Sequence, residues 1–321
     1  MEKKDLKIVF FGTPDFAVES LKRLVQGGYN VVGVVTMPDK PAGRGHHLLQ
    51  SDVKKYAVEN GLHLMQPVKL KDEEFVDELR SLNADLFIVI AFRMLPEVVW
   101  TMPRLGTFNL HASLLPKYRG AAPINWAVMN GETETGVTTF FLKHEIDTGD
   151  VIQQKSLPIG RKDNVETIHD GLMMMGAGMV IETVDAIIAG TVKPIPQSEM
   201  LTAGEKPTPA PKIFKDTCRI DWNWCAEKVY NHVRGLSPYP AAWTEIVDAA
   251  GKVYAVKIFE TGEPEAPSAN LVPGTLTTDG KCLWVACADA KIEILSLQMA
   301  GKRRMPTADF LRGFNIEGCH C

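Results

Sequence analysis

LKIVFFG, running from Leu6 to Gly12, is the stretch from which the fold is read. Apart from its lysine the run is apolar, branched or aromatic, and it ends in glycine. It lacks the polar alternation of a strand with one wet face, and so fits a strand buried on both faces of a parallel sheet. Working outward, Phe16, Val18, Leu21, Leu24 and Val25 form a helical stripe between Asp15 and Gln26, stopped by Gly27-Gly28. NVVGVVT (Asn30 to Thr36) is a second buried strand, and Asp52 to Asn60 and residues 72–81 read as helices. ADLFIVIAF (Ala84 to Phe92) is the strongest strand pattern in the chain. GTFNLH, ending at His111, is another strand, APINWAVMN a helix, TGVTTFFL and DVIQQKSLP two more strands, and Asn164 to Ile188 a long Met-rich helix. This alternation predicts an open, mostly parallel, Rossmann-like α/β sheet with right-handed crossovers.

After Gly190 the pattern changes. Residues 191–208 are proline-rich with little apolar surface, and read as a semi-rigid connector. Trp222 to Arg234 has a short helical pattern. AAWTEIV, KVYAVKIFE, LVPGTLT, CLWVACA and KIEILSLQM follow as five β-like runs separated by turns, which suggests a small OB-like β-barrel. The expected division is a catalytic domain over 1–190, a linker over 191–208 and a barrel over 209–321.

A chain of 321 residues exceeds the usual single core, and 45% hydrophobic with 23% charged residues excludes a disordered or fibrous class. The net charge of -4 excludes recognition of a polyanion by bulk charge, so any nucleic-acid contact must use local patches. Lys3, Lys4 and Lys7 lead straight into a strand rather than a signal-peptide core. The apolar stretches read as strand-sized or broken by charge, so no membrane span is expected. All six cysteines follow residue 217 without a CxxC pair, which fits a reducing cytoplasm. Cys319-His320-Cys321 offers too few well-spaced ligands for a metal and is expected to fray, so no metal is expected.

Two loops stand beside the sheet's carboxyl edge, where open α/β sheets bind ligands. The first, after Leu6–Gly12, has one glycine where a dinucleotide fingerprint needs three, and no GKS or GKT, which removes dehydrogenase and P-loop readings. Gly12 and Pro14 then shape a turn, with Asp15 capping the helix. The second, TMPDKPAGRGHHLLQ, is long for a βα connection and carries Lys40, Arg44, His46 and His47 against Asp39 alone. It is either a solvated surface loop or a lid that grips a polyanion through phosphate contacts.

FNLHASLLPKYRGAAPINWA carries the chemistry. Asn109 and His111 lie two apart at a strand end and share a face. FFLKHEIDTGDVI adds Asp147 in a glycine-containing loop. A histidine exchanges protons near neutral pH, a carboxylate fixes its tautomer, and an amide donates to an oxyanion. No GxSxG elbow supports a nucleophilic triad, and a structural role for His111 alone stays open at this point.

With those motifs in hand, the chain resembles the methionyl-tRNA formyltransferase family from residue 8 to about residue 312. FFGTPDFA, MPDKPAGRG, FNLHASLLPKYRGAAPINWA, GVTTFFLKHEIDTGDVI and IDWNWCAEKVYNHVRGLSPYPAAW carry the likeness. The resemblance implies formyl transfer from 10-formyltetrahydrofolate to the α-amino group of methionyl initiator tRNA, with Asn109, His111 and Asp147 as the catalytic trio. It implies folate contacts at Ile90, Phe92, Arg93, Leu95, Ser113, Leu114, Leu115, Pro116, Ile146 and Thr148, largely through backbone groups. For tRNA it implies Lys40 and Arg44 at the acceptor end and Lys302, Arg303 and Arg304 on the barrel. Members often read AYG where this chain has Ala91-Phe92-Arg93. An arginine in place of that glycine is strained at positive φ, so a local change in the loop is expected. A cytoplasmic monomer is expected. Two other readings are a formyltransferase acting on an amino sugar nucleotide and a non-catalytic RNA-binding protein.

Overall fold

The computed structural model describes residues 2–42, 47–202 and 204–321. Arg44 and the middle of the basic loop lie outside the described residues. By packing, the chain forms two compact units. The first comprises Met1–Gly120, Thr135–Leu157 and His169–Pro209; the second comprises Ala121–Glu134, Pro158–Ile168 and Ala210–Cys321. The packing therefore interleaves segments that the sequence reading kept on either side of residues 190 and 209. The reason is local: a helical stripe announces a buried face but not the partner that covers it. Helix Pro123–Met129 packs within the second unit, where Asn125 Nδ2 donates to the Gly235 carbonyl at 2.8 Å.

The first unit is built on a seven-stranded sheet in the order Val151–Pro158, Glu134–Phe141, Thr107–His111, Leu86–Ile90, Lys7–Gly12, Asn30–Val35, Leu64–Met65. The pairs from Thr107–His111 to Leu64–Met65 are parallel, and Glu134–Phe141 joins Thr107–His111 antiparallel. Ile8, Val9, Phe10 and Phe11 are all fully buried, as the opening run predicts. Asp15 is the first helical residue of Asp15–Gln26 rather than its cap; Pro14 takes that place without a side-chain bond. Gly12 serves close packing more than turn geometry, since a Cβ there would lie 2.7 Å from the Ala17 Cβ.

Helix Val165–Ala189 is the long Met-rich helix expected from the sequence; by length and composition alone it would suffice to cross a membrane, its most apolar window having a mean hydropathy of 1.7. Leu172, Met179, Val180 and Val184 are buried, and the Thr183 hydroxyl lies 2.9 Å from that of Thr139 on the neighbouring strand.

In the second unit, all five β-like runs are strands of one curled antiparallel, OB-like sheet. Its order is Ala242–Val247, Val253–Thr261, Lys291–Met299, Leu283–Ala286, Leu276–Thr278, with Met305–Pro306 also on Lys291–Met299. Alternation sets the faces: Val256 and Ile258 are buried while Ala255 and Lys257 are exposed. Val229, Val233 and Leu236 of helix Ala226–Leu236 cover the buried face together with Phe310. The C-terminus is stitched down rather than frayed: His320 pairs with Val247 through both backbone groups, and Cys321 N–H donates to Gly274 at 2.9 Å. Among the described residues no group of three metal-ligating side chains occurs.

One buried ionisable group gives this unit a pH dependence. His232 is 6% exposed, and burial pushes its pKa down to about 4 from the ordinary 6.5. The unfolded imidazole takes a proton near pH 6.5 while the folded one stays neutral to about pH 4, so stability falls as pH drops through that window. Relative to His232→Phe, the full chain is expected to lose stability by at most ~1.4 kcal/mol per pH unit across it. Denaturant unfolding of both proteins at several pH values checks this; parallel curves would remove His232 as the cause.

Candidate active site

Strand Thr107–His111 ends with Asn109 and His111 on one face. Asn109 is partly buried and His111 is 7% exposed. The chain then turns through Ala112–Tyr118, and the turn's polar groups are paired within it and with Thr138 and Gln154 of the two neighbouring strands. Ser113 Oγ donates to the Lys117 carbonyl at 2.7 Å, Thr138 Oγ1 donates to the Ser113 carbonyl at 2.6 Å, and Leu115 N–H donates to Thr138 Oγ1 at 3.2 Å. Gln154 holds the Leu115 carbonyl at 2.7 Å.

The turn delivers a backbone oxygen to the histidine. The Tyr118 carbonyl lies 2.8 Å from His111 Nε2. A carbonyl only accepts, so Nε2 carries the hydrogen, and in the neutral ring Nδ1 is left as the open lone pair. Nδ1 faces Asp147 Oδ2 at 3.8 Å, with both side chains largely buried at 8% and 12% exposure. That separation exceeds a direct hydrogen bond, so the contact is electrostatic. Asp147 itself is fixed by the Gly120 N–H, which donates to Oδ2 at 2.9 Å.

Two non-glycine residues here hold left-handed backbone conformations, Tyr118 at φ 60 and Asp147 at φ 55. Such conformations cost about 1–3 kcal/mol each and persist where surrounding contacts over-determine them. Gln197 supplies those contacts. Its Nε2 donates to the Asp147 carbonyl at 2.9 Å and the Gly149 carbonyl at 2.8 Å. Its Oε1 accepts from Arg119 Nε at 3.0 Å and Nη2 at 2.7 Å. Burial lowers the Arg119 pKa, opposed by the charges of Asp147 and Glu145. Gly149 is sterically obligatory, because a Cβ there would sit 1.6 Å from the Phe141 carbonyl oxygen.

The remaining predicted residues divide. Ile90, Leu95, Leu115 and Pro116 are buried, Ser113 is buried and engaged, Leu114 is partly buried, and Phe92 packs against Phe11 with ring centroids 5.7 Å apart. Thr148 Oγ1 donates to the Glu145 carbonyl at 3.0 Å, whereas Ile146 is 61% exposed. The expectation of strain at Arg93 is corrected: positive φ falls on Ala91 at 46°, and Arg93 is absent from the positive-φ residues. The Arg93 guanidinium instead donates to the carbonyls of Val68, at 2.8 Å, and Pro67. Lys40 is exposed. Lys302 and Arg303 are exposed on the second unit, and Arg304 lies 4.6 Å from the Phe259 ring centroid with Nε on Ser296 Oγ at 2.8 Å. Gln197 and the Tyr118 carbonyl were missed from the sequence. The first sits in a proline-rich stretch, and the second is a backbone atom that any residue supplies.

Comparison with known proteins places this geometry. Residues 6–184 match the formyl transferase family and residues 212–315 the formyl transferase C-terminal domain. A methionyl-tRNA formyltransferase of Bacteroides fragilis is 65% identical over 317 residues, covering 98% of this chain and 97% of that protein. The chain belongs to the methionyl-tRNA formyltransferase family. Two solved structures share its fold. An N-formyltransferase from Helicobacter canadensis, in complex with folinic acid and dTDP-3-aminofucose, has a TM-score of 0.66 at 19% identity, covering 90% of this chain and 98% of that one. HypX from Aquifex aeolicus, in complex with tetrahydrofolic acid, has a TM-score of 0.61 at 21% identity and covers 95% of this chain; the match spans 46% of HypX, about half its length.

Gln197→Ala removes four hydrogen bonds that brace this family site. The substitution is expected to destabilise the chain by about 1–3 kcal/mol, the cost of leaving buried carbonyls and a guanidinium without partners. Urea unfolding measures it. A loss below about 0.5 kcal/mol would show that the loop holds its shape without the bracket.

Proposed function

We propose that this chain transfers the formyl group of 10-formyltetrahydrofolate to the α-amino group of methionyl initiator tRNA, giving N-formylmethionyl-tRNA for translation initiation. The observation that carries the reading is the open His111 Nδ1 beside Asp147, in a chain of this family. The folate supplies the formyl carbon as a consumed co-substrate. Met94 and Ile146 expose 72% and 61% of their surface, apolar area of the kind a pteridine covers. The backbone of Ile90 to Leu95 and Ile146 to Thr148 is the proposed cradle. Phe92, Arg93 and Thr148 lie within it, while Ser113, Leu114, Leu115 and Pro116 shape its wall.

The chain's own residues divide the work. The substrate amine attacks the formyl carbon, so charge grows on the carbonyl oxygen and on the nitrogen. The Asn109 amide is positioned on the same strand face to donate to the oxyanion. His111 has Nε2 committed to Tyr118, so only Nδ1 can meet the reacting atoms, as Nδ1–H to the oxygen when protonated. Asp147 takes the excess proton of the ammonium, directly or through water, and the leaving folate nitrogen receives one in exchange. The new N–C bond replaces the old one without net proton release.

Functional domains over 1–190 and 209–321, joined by 191–208, are part of the proposal. The two family matches at 6–184 and 212–315 support it. Arg44 and Lys40 are proposed to meet the tRNA acceptor end, and Lys302, Arg303 and Arg304 to meet its arm, with the chain acting as a cytoplasmic monomer. Exposed cations suit phosphate contact.

Asp147→Asn keeps an acceptor for the Gly120 N–H but loses the base. The rate of formyl-methionyl ester formation from 10-formyltetrahydrofolate and methionyl initiator tRNA is expected to fall by about 10²-fold or more. Combining it with His111→Ala is expected to add little, because residues acting as a unit do not sum. Single-turnover assays decide this. A rate within about threefold of the parent removes Asp147 from the chemistry. No product from the parent with this pair of substrates overturns the whole reading.

A further inference from the structure

Strand Leu64–Met65 closes one end of the first unit's sheet, paired in parallel with Asn30–Val35. The three residues that follow it, Gln66, Pro67 and Val68, are bonded in two directions.

In one direction lies the root of the basic loop. Gln66 Nε2 donates to the Met37 carbonyl and to Asp39 Oδ1, each at 2.9 Å. The other Asp39 oxygen accepts from Lys54 Nζ at 2.6 Å, in an ion pair whose side chains are each 16% exposed. The bonds from Lys54 and from Gln66 hold the Asp39 carboxyl below its ordinary pKa, so Gln66 meets an anion. Such charge-assisted bonds are the stronger kind. Asp39 leads directly into Lys40–Ala42, which pairs antiparallel with His47–Leu49. Lys40 is exposed on this hairpin. Leu48 and Leu49 are 61% and 63% exposed, although neighbours on a strand face opposite sides. A ribbon open on both sides there takes its direction from its base.

In the other direction lies the proposed folate cradle. Arg93 Nη1 donates to the Val68 carbonyl at 2.8 Å, and Nη2 donates to that of Pro67. The guanidinium carbon lies 5.6 Å from the Phe92 ring centroid, and Phe92 packs on Phe11. The main chain of one short segment is thus held from the cradle by Arg93, while its first side chain holds the hairpin root.

We propose that Gln66 is a positioning residue for the hairpin that carries Lys40, and that Arg93 holds the same segment from the folate side, so that the two substrate loops share one support. Neither residue need touch the reacting atoms. The inference rests on the reading of these loops as tRNA and folate elements, and it adds that they are set in place together.

The test measures kcat and KM for methionyl initiator tRNA at saturating 10-formyltetrahydrofolate, and the Kd for folinic acid by calorimetry, on the full chain. Gln66→Met keeps the side chain's length and removes both donated bonds. The KM for tRNA is expected to rise about tenfold, the scale of hydrogen bonds lost to a charged partner. Its kcat and folinic acid Kd are expected to stay within about twofold of the parent, because the cradle and the trio keep their own contacts. A merely structural loss would lower kcat through a smaller folded fraction and leave KM in place. Asp39→Ala removes one of the same bonds from its other end and is expected to raise the same KM, so a poorly folding variant does not close the test. Arg93→Met is expected to weaken folinic acid binding and to raise the KM for tRNA about threefold, the second effect vanishing in the Gln66→Met background because its path runs through Gln66. An unchanged KM for tRNA in Gln66→Met, or losses at Gln66 and Arg93 that simply multiply, overturns the shared support while the parent's formyl transfer stands. A parent that makes no ester overturns both.

Discussion

A backbone carbonyl and an imidazole nitrogen 2.8 Å apart, Tyr118 O and His111 Nε2, set the terms for the candidate active site. The carbonyl cannot donate, so it selects one tautomer and turns Nδ1 toward Asp147. Everything around the pair serves to keep that oxygen in place. Tyr118 must hold a left-handed backbone to present it, and the turn before it is fixed by one internal bond, Ser113 to Lys117, and by Thr138 of the neighbouring strand. The next residues close the arrangement, as Gly120 N–H clamps the carboxylate that Nδ1 faces. His111 is thereby oriented by main chain, and the Asp147 carboxylate is not needed to hold the ring.

The sheet explains why this can be precise. Thr107–His111 pairs with Leu86–Ile90 on one side and Glu134–Phe141 on the other, so Asn109 and His111 project from a strand that has no freedom to slide. Asp147 lies on a loop, and loops drift unless braced. Gln197 braces it from a distant part of the chain, holding two of its carbonyls while Arg119 holds Gln197. Gly149 lets the loop come within contact distance of Phe141, a path closed to any side chain. Rigid strand, braced loop and main-chain clamp together give fixed polar groups that need little reorganisation during reaction.

Much of this was legible in the sequence, for physical reasons that also mark the limits. Buried strands such as Leu6–Gly12 announce themselves because both faces are apolar, and the five barrel strands because their faces alternate. Asn109, His111 and Asp147 stand out because acid–base chemistry needs side chains of those types. The Tyr118 carbonyl does not, because every residue carries one. Gln197 lies in a proline-rich run whose composition reads as a spacer, and its role exists only through contacts made far along the chain. Helix Pro123–Met129 showed its apolar face but not that the second unit covers it. At Arg93 the sequence pointed to strain at a positive φ, and the structure has the positive φ at Ala91 and none at Arg93.

The central claim is that the neutral ring of His111 carries its hydrogen on Nε2, directed by Tyr118, and its lone pair on Nδ1 toward Asp147. Nitrogen-15 NMR of protein labelled at histidine reads this directly, since the two ring nitrogens give distinct shifts when protonated and when bare. His111, assigned by its disappearance in His111→Gln, is expected to show the Nε2–H tautomer in the neutral form. An Nδ1–H tautomer would place the hydrogen between His111 and Asp147, leave the Tyr118 carbonyl without its donor, and contradict the account.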